Sequence, residues 1–133
     1  RTDATRVSSY NPWLSLAWLT TGKSLGDLQM YGDDNLLNRS EALRLWTING
    51  AASTGESALK GSLEPGKLAD LVVLDRDYFT VPDDQLRKIE SVMTIVDGEI
   101  TYASGDLGDY DTNPLPEISP AWSPVAKFGG YRS

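Results

Sequence analysis

The period of the apolar residues changes near Gly55, and this change limits the folds open to the chain. Before it, the stretch 12–21 is apolar around most of a helical circumference, and apolar residues recur at helical spacing in 39–52. After it, the apolar runs are short and rich in β-branched residues, at 69–75 and within 91–103. Two helices followed by short strands predict a mixed α/β fold.

Both helical stretches carry start signals in the sequence. Asn11 precedes a proline and can cap the first helix, which Gly22 can end in the left-handed conformation. Asn38 and Glu41 form a capping-box pattern, which predicts one continuous helix to about residue 52 with one face buried. Asn38 also matches the N-glycosylation pattern, but the helix cap explains it more economically.

The second half of the chain predicts turns and strands. Pro65-Gly66 suits a type II turn, and 69–75 reads as a well-buried strand. Asp97-Gly98 is a preferred type I′ turn, so 91–103 is predicted to be a hairpin. For Asp70 we expect a hydrogen bond between strand and turn rather than a role in catalysis. From Ser104 onward, glycines and then prolines predict no regular structure.

The composition excludes several classes of site and partner. The chain contains neither His nor Cys, so it cannot build an ordinary zinc site or a Ser-His or Cys-His pair by itself. The formal net charge of −7 argues against nucleic-acid binding. No apolar run approaches the ~18 residues of a membrane span. The absence of Cys fits a reducing compartment, so we expect a cytoplasmic protein.

Several motifs together resemble one enzyme family. The stretch 61–75, GSLEPGKLADLVVLD, and the VDGE of the hairpin resemble the carboxy-terminal part of metal-dependent amidohydrolases. Residues 2–13, TDATRVSSYNPW, resemble the segment after the last barrel strand in the amidohydrolase-3 branch, which includes N-substituted formamide deformylases. The ending 122–131 is similar to endings in that branch.

The resemblance implies that the chain is a carboxy-terminal fragment. Residues 1–56 would be the end of a (β/α)₈ TIM barrel, residues 57–106 the carboxy-terminal part of a small β-sandwich domain, and residues 107–133 an extended Pro-rich tail. The main partner would be the upstream part of the same enzyme, which would carry the His ligands. The intact parent would hold a divalent metal, zinc by the resemblance, and hydrolyse a C–N bond in a small non-peptide amide. This chain alone would hold no metal and be inactive.

The resemblance also assigns candidate site residues. Asp3 matches the aspartate that ends the last barrel strand, so it would be catalytic and a metal ligand in the intact parent. Arg6 and Ser8 would contact substrate, although loop packing and ordinary ion pairs explain them equally well. For Trp13 and Trp18 we expect packing in the core rather than a place in a substrate pocket.

A second interpretation from another class stays open. The chain could be a stand-alone, non-catalytic β-rich interaction or structural module, which would fold as a monomer and bind no metal. The fragment hypothesis instead predicts exposed apolar surface on the helix at 12–21, and it allows a homo-oligomer.

Overall fold

The computed structural model describes residues 10–112, which form a mixed α/β fold. In chain order its elements are helices α1 (Pro12–Thr21), α2 (Arg39–Trp46) and α3 (Ile48–Ser53), then strands β1 (Leu71–Leu74), β2 (Ser91–Val96) and β3 (Glu99–Ala103). Short 3₁₀ helices lie at Asp33–Asn35, Asp83–Lys88 and Gly105–Tyr110. Within residues 10–112, no helix has the length and apolar character needed to cross a membrane.

The helix caps lie where the sequence predicts them. The side chain of Asn11 accepts a hydrogen bond from the Trp13 amide at 2.9 Å, and Gly22 ends α1 with φ at 67°. Asn38 and Glu41 form the reciprocal capping box, with each side chain accepting from the other residue's amide at 2.9 Å. These caps depend only on residues close in sequence, and all of them are confirmed.

The predicted helix at 39–52 is broken at Thr47, so the prediction of a continuous helix is wrong. Thr47 has φ −114° and ψ −98°, and it separates α2 from α3. Its hydroxyl donates to the Leu43 carbonyl at 2.9 Å, and this type of bond to residue i−4 bends helices. Fewer residues are buried than the pattern predicts: only Ala42 in α2 and Ala51 in α3.

The sheet is antiparallel with strand order β1-β2-β3. The predicted hairpin is confirmed: its turn residues Asp97 and Gly98 have φ of 51° and 82°. The predicted turn before β1 is also present, since the Lys67 amide donates to the Glu64 carbonyl at 3.2 Å and Gly66 has φ 91°. The Asp97-Gly98 turn thus joins β2 directly to β3, whereas β1 and β2 are joined by the longer connection at 75–90.

Strand β1 forms as predicted, but it is less buried than predicted. Val72 is 47% exposed and Val73 is 37% exposed. Apolar, β-branched strands of this kind are typical of sheets that are covered on both faces. In the described part of the chain no second sheet covers β1, so the burial predicted from its composition is absent.

The core lies between α1, α2 and the connection from β1 to β2. Its buried members are Trp13, Leu16, Ala17, Ala42, Tyr78, Leu86 and Ile89. Leu86 and Ile89 belong to the β1–β2 connection, and this connection covers much of α1. The apolar surface that was expected on α1 is therefore largely buried.

The two tryptophans of α1 differ. Trp13 is buried, as expected. Trp18 is 47% exposed and stacks on Tyr31 with the ring centroids 5.9 Å apart, so its predicted place in the core is wrong. Tyr31 lies in the loop between α1 and α2, and no local pattern predicts that this loop returns to the helix.

The segment after β3 is more regular than predicted. A 3₁₀ helix spans Gly105–Tyr110, so the first residues of the predicted extended tail are helical. The remainder of that tail, 113–133, lies outside the described residues.

Candidate functional site

The three predicted site residues, Asp3, Arg6 and Ser8, lie outside the described residues, and their roles stay predictions. The description starts at Tyr10, beside the cap of α1. The helix start is well fixed: Asn11 is buried, and Leu16 further along α1 is 2% exposed. The segment that carries the predicted site therefore joins a helix held in the core.

In the described structure, the Arg39 side chain contacts three residues of the β1–β2 connection. Its guanidinium donates to the carbonyl of Tyr78 at 2.6 Å and to that of Val81 at 2.5 Å, and it pairs with Asp83 at 2.6 Å. The Tyr78 hydroxyl donates back to the Arg39 carbonyl at 3.1 Å. We call these contacts the Arg39 clamp; they tie the start of α2 to the β1–β2 connection.

Sequence reasoning missed the Arg39 clamp. In the sequence, Arg39 stands out only as the middle residue of the Asn38-Arg39-Ser40 pattern. Its partners lie about forty residues away along the chain, and two of them are backbone carbonyls, which no side-chain motif marks. The one available signal was an arginine at the first position of a capped helix, where a positive charge gains nothing from the helix dipole.

Asp70 has the structural role that the sequence predicts. Its Oδ1 accepts a hydrogen bond from the backbone amide of Asp97 at 2.9 Å. The Gly98 amide donates to the Ala69 carbonyl at 3.2 Å. The segment before β1 thus holds the turn of the β2–β3 hairpin.

Two ionisable groups near the clamp have shifted pKa values. The Phe79 amide and the Thr80 hydroxyl donate to Asp77 and hold the pKa of its carboxyl below the ordinary value. Burial raises the pKa of the Tyr78 hydroxyl. Neither shift moves the pKa of its group toward 7, where a general acid or base works best at neutral pH.

The shifted carboxyl groups elsewhere follow the same direction. A hydrogen bond from Thr54 lowers the pKa of Glu56, and one from Ser62 lowers that of Glu64, in both cases helped by a lysine. A carboxyl group that acts as an acid near pH 7 needs a raised pKa. No shifted carboxyl group within residues 10–112 has a raised pKa, so none of these shifts points to such an acid.

The described residues also provide no metal centre. Within residues 10–112 no three residues of the types His, Cys, Asp or Glu come together in a way that could hold a metal ion. The sequence has no His or Cys at all.

In the described residues, an apolar groove of about 1240 Å³ lies between α2, α3 and the sheet. Residues that line it include Trp13, Trp46, Leu71, Val72, Phe79 and Ile95. A second hollow, of about 830 Å³, lies beside the end of α1 and has a mixed lining that includes Trp18, Met30 and Arg87. Most of the surface of this groove is apolar, although charged residues, among them Arg44, Lys60 and Asp77, also line it.

The sequence profile described as "Amidohydrolase family" matches residues 1–102, which cover most of the chain. The chain belongs to the amidohydrolase family. In this amidohydrolase chain, the motif at 61–75 forms the turn before β1 and β1 itself, and the VDGE motif forms the hairpin turn. Within 10–112, the motifs at 61–75 and 96–99 thus build the sheet, and the last residues of the motif at 2–13 cap and begin α1.

Relatives with curated names agree with this membership. An N-substituted formamide deformylase of Arthrobacter pascens is 42% identical over 69 residues, which are 52% of this chain and 13% of that protein. An imidazolonepropionase of Thermoplasma acidophilum is 46% identical over 82 residues, 60% of this chain and 20% of that protein. A urease subunit alpha of Staphylococcus aureus is 38% identical over 74 residues, 56% of this chain and 12% of that protein.

The amidohydrolase chain spans about an eighth to a fifth of the length of these relatives. No solved structure matches it.

Proposed function

We propose that this chain is the carboxy-terminal part of a metal-dependent amidohydrolase that hydrolyses a C–N bond in a small non-peptide amide. The observation that carries the proposal is the family match over residues 1–102. The name of the Arthrobacter pascens relative, which matches over about half of the chain, suggests an N-substituted formamide as the substrate class. In this proposal, residues 1–56 end a (β/α)₈ barrel and 57–106 belong to a small β-sandwich.

The residues of this chain do not fit a metal centre by themselves. The sequence has no His or Cys, and residues 10–112 contain no acidic cluster of the required kind. Asp3 supplies one carboxylate oxygen, which is a suitable ligand for a divalent ion such as zinc. The other ligands, in this proposal, belong to the upstream part of the same enzyme.

Asp3 has a second role in the proposal, as the group that carries a proton. An ionised carboxylate next to the attacking water accepts its proton and then gives it to the nitrogen of the leaving amine. Arg6 and Ser8 follow at short spacing and orient the substrate, Arg6 by charge and Ser8 by a hydrogen bond.

Exposed apolar surface supports the proposal that this chain packs against the upstream part of the same enzyme. Val72 and Val73 of β1 are well exposed although their composition is that of a covered strand. Val72 lines the groove that Trp46 and Phe79 also line, whereas Val73 lies on the other face of the strand. Exposed apolar surface of this kind is typical of surfaces that pack against more protein. The cytoplasm is the location that goes with this proposal, and a homo-oligomer is compatible with it.

The experiment compares the chain alone with a protein that includes its upstream coding sequence. We expect the chain alone to show no hydrolysis of an N-substituted formamide, and the extended protein to hydrolyse it when loaded with zinc. In the extended protein, Asp3→Asn should lower kcat by at least about a hundredfold, since it removes a general acid–base group.

A matched control separates this effect from a change of charge. Asp34→Asn removes one negative charge from an exposed position in the described structure and should leave kcat unchanged. The proposal fails if the chain alone hydrolyses the formamide, if the extended protein hydrolyses no amide, or if Asp3→Asn behaves like Asp34→Asn. A chain that is monomeric and binds no apolar dye would favour the interaction-module alternative.

A further inference from the structure

The five asparagines of the chain differ in the residue that comes next in the sequence. Asn11 and Asn113 precede prolines, which have no backbone N–H. Asn35 and Asn38 precede residues with side chains. Asn49 alone precedes a glycine, Gly50, whose amide is not crowded by a Cβ. The sequence thus separates Asn49 from the other four.

The structure separates Asn49 further, because the break at Thr47 leaves the start of α3 open. Thr47 precedes α3 without a side-chain cap, and Ala51 is the first residue of the region whose amide reaches the Thr47 carbonyl, at 3.0 Å. The Gly50 amide has no hydrogen-bond acceptor among the described residues, as is usual for the first N–H groups of an uncapped helix. The Asn49 side chain beside it is exposed.

The two other asparagines that precede an N–H group are held more firmly. The amide next to Asn35 belongs to Leu36 and donates to the Asp33 carbonyl at 3.2 Å. The Asn38 side chain accepts from the Glu41 amide at 2.9 Å in the capping box. At Asn35 the backbone amide that follows is hydrogen-bonded, and at Asn38 the asparagine side chain itself is hydrogen-bonded.

We propose that Asn49-Gly50 is a site of spontaneous deamidation in this protein. The Gly50 amide nitrogen loses its proton and attacks Cγ of Asn49, a new N–Cγ bond forms, and the Cγ–Nδ2 bond breaks with release of ammonia. Water then opens the five-membered succinimide. Attack at Cγ gives aspartate, and attack at the main-chain carbonyl carbon of residue 49 gives isoaspartate.

The two products have opposite effects on α3. An aspartate at position 49 lies in the first turn of the helix, where a negative charge is favourable and where no acid is present now. An isoaspartate adds a methylene to the main chain between Ile48 and Ala51. Both of these residues pack against Gly61, with Ile48 Cα and Ala51 Cβ only 2.9 Å from where a Cβ on Gly61 would be. The isoaspartate product therefore separates α3 from the segment before β1.

The inference does not rest on the proposed function, and the chain as it stands can test it. The protein is incubated at neutral and mildly alkaline pH and then digested with trypsin under mildly acidic conditions. Cleavage after Arg44 and Lys60 gives a peptide, 45–60, whose only asparagine is Asn49. The peptide 24–39 carries Asn35 and Asn38 and serves as the internal control.

We expect peptide 45–60 to gain the mass difference between water and ammonia while 24–39 does not, at a rate that rises with hydroxide concentration. Chromatography should resolve an aspartate and an isoaspartate form. Gly50→Ala should slow the conversion by about tenfold, because a Cβ crowds the ring closure. Far-UV circular dichroism confirms that this variant folds, and the same comparison in denaturant separates the crowding from any added helix stability.

Three outcomes would overturn the proposal. One is equal conversion of the two peptides. Another is an unchanged rate in Gly50→Ala, both folded and in denaturant. The third is a folded chain that leaves Asn49 intact while the chain in denaturant converts it.

Discussion

Arg39 and Tyr78 hold each other in both directions: the Arg39 guanidinium donates to the Tyr78 carbonyl at 2.6 Å, and the Tyr78 hydroxyl donates to the Arg39 carbonyl at 3.1 Å. The guanidinium carbon also lies 6.0 Å from the centre of the Tyr78 ring. This pair connects a helix start with a loop that lies between two strands. It is the contact that most directly joins the helical and the β parts of the chain.

Replacement of Arg39 should therefore destabilise the whole fold. Arg39→Ala leaves the carbonyls of Tyr78 and Val81 without their charged donor and should lower the free energy of unfolding by about 2 to 3 kcal/mol. Arg39→Lys should recover only part of this loss, because one ammonium cannot reproduce the geometry of the guanidinium. Chemical denaturation measures both variants.

Arg44→Ala is the matched control for the clamp. Arg44 is an exposed arginine on the same helix, and the described structure gives it no ion pair or side-chain hydrogen bond. We expect a change within about 0.5 kcal/mol, as is usual for surface substitutions. An equal loss in Arg44→Ala and Arg39→Ala would show that the clamp has no special role.

Two glycines with nearly the same positive φ allow a second prediction. Gly61 and Gly66 have φ of 94° and 91°. A Cβ on Gly61 would lie 2.9 Å from Ala51 Cβ and from Ile48 Cα, whereas a Cβ on Gly66 meets nothing within 4 Å. Gly66→Ala should cost only the left-handed strain, about 1 to 2 kcal/mol. Gly61→Ala should cost about 1 to 3 kcal/mol more, because it also overpacks the contact with α3.

Thermal unfolding of both variants measures this difference directly. Both substitutions place a side chain at a positive φ near 90°, so the difference between them reports mainly the close contact at Gly61. Equal costs would mean that α3 moves away freely and that the close approach at Gly61 contributes nothing to stability.

Asp75 gives the fold a dependence on pH. Partial burial is the largest single influence on its pKa and would raise it, but hydrogen bonds from Arg76 and from the Glu90 amide, with the charge of Arg76, together lower it. A carboxyl group whose pKa is lowered in the folded state binds protons less tightly there than in the unfolded chain. Its contribution is complete above the ordinary value of 3.8 and is lost as the pH falls below it.

Asp75→Asn should therefore destabilise the protein at neutral pH and have a smaller effect in acid. The measurement is thermal unfolding at neutral pH and below pH 3.8, with Asp106→Asn, at an exposed position, as the control. The same loss of stability in Asp75→Asn at both pH values would contradict the assignment, because a purely steric effect does not titrate.

A substitution of Leu86 tests whether the helices and the β1–β2 connection share one core. Leu86 is 1% exposed, and it lies in the β1–β2 connection although it packs with the residues of α1. Leu86→Ala should lower the free energy of unfolding by about 3 kcal/mol. It should also speed hydrogen exchange in α1 and in the hairpin together, while Leu63→Ala, at an exposed position, should do neither. Faster exchange confined to the β1–β2 connection would show that the core is not shared.

The parts of the fold that the sequence predicts correctly depend on short-range chemistry. The Asn11 and Asn38 caps, the left-handed Gly22 and the Asp97-Gly98 turn each involve residues within a few positions of one another. The role of Asp70 is different, because its hydrogen bond to the Asp97 amide joins residues 27 positions apart. Family resemblance adds the order of these elements along the chain.

The parts that the sequence misses depend on distant contacts. The break at Thr47 is an exception, because it is local: the Thr47 hydroxyl donates to the Leu43 carbonyl, which apolar spacing does not show. The burial of Val72 depends on the elements that cover the sheet. The residues near Val72 in the sequence do not show which elements those are. The Arg39 clamp joins two segments about forty residues apart. The candidate site shows the same division, since Asp3 was assigned by resemblance and stays a prediction.

The β1–β2 connection has a consequence for how such chains can be recombined. It leaves the sheet, places Leu86 and Ile89 against α1, and returns to the sheet. A chimera of two relatives joined between residues 56 and 57 would therefore pair one parent's Leu86 with the other parent's Leu16. Exchanges that keep the core contacts within one parent must carry 12–46 and 76–90 together. The segments that must come from the same parent are therefore not contiguous in the sequence.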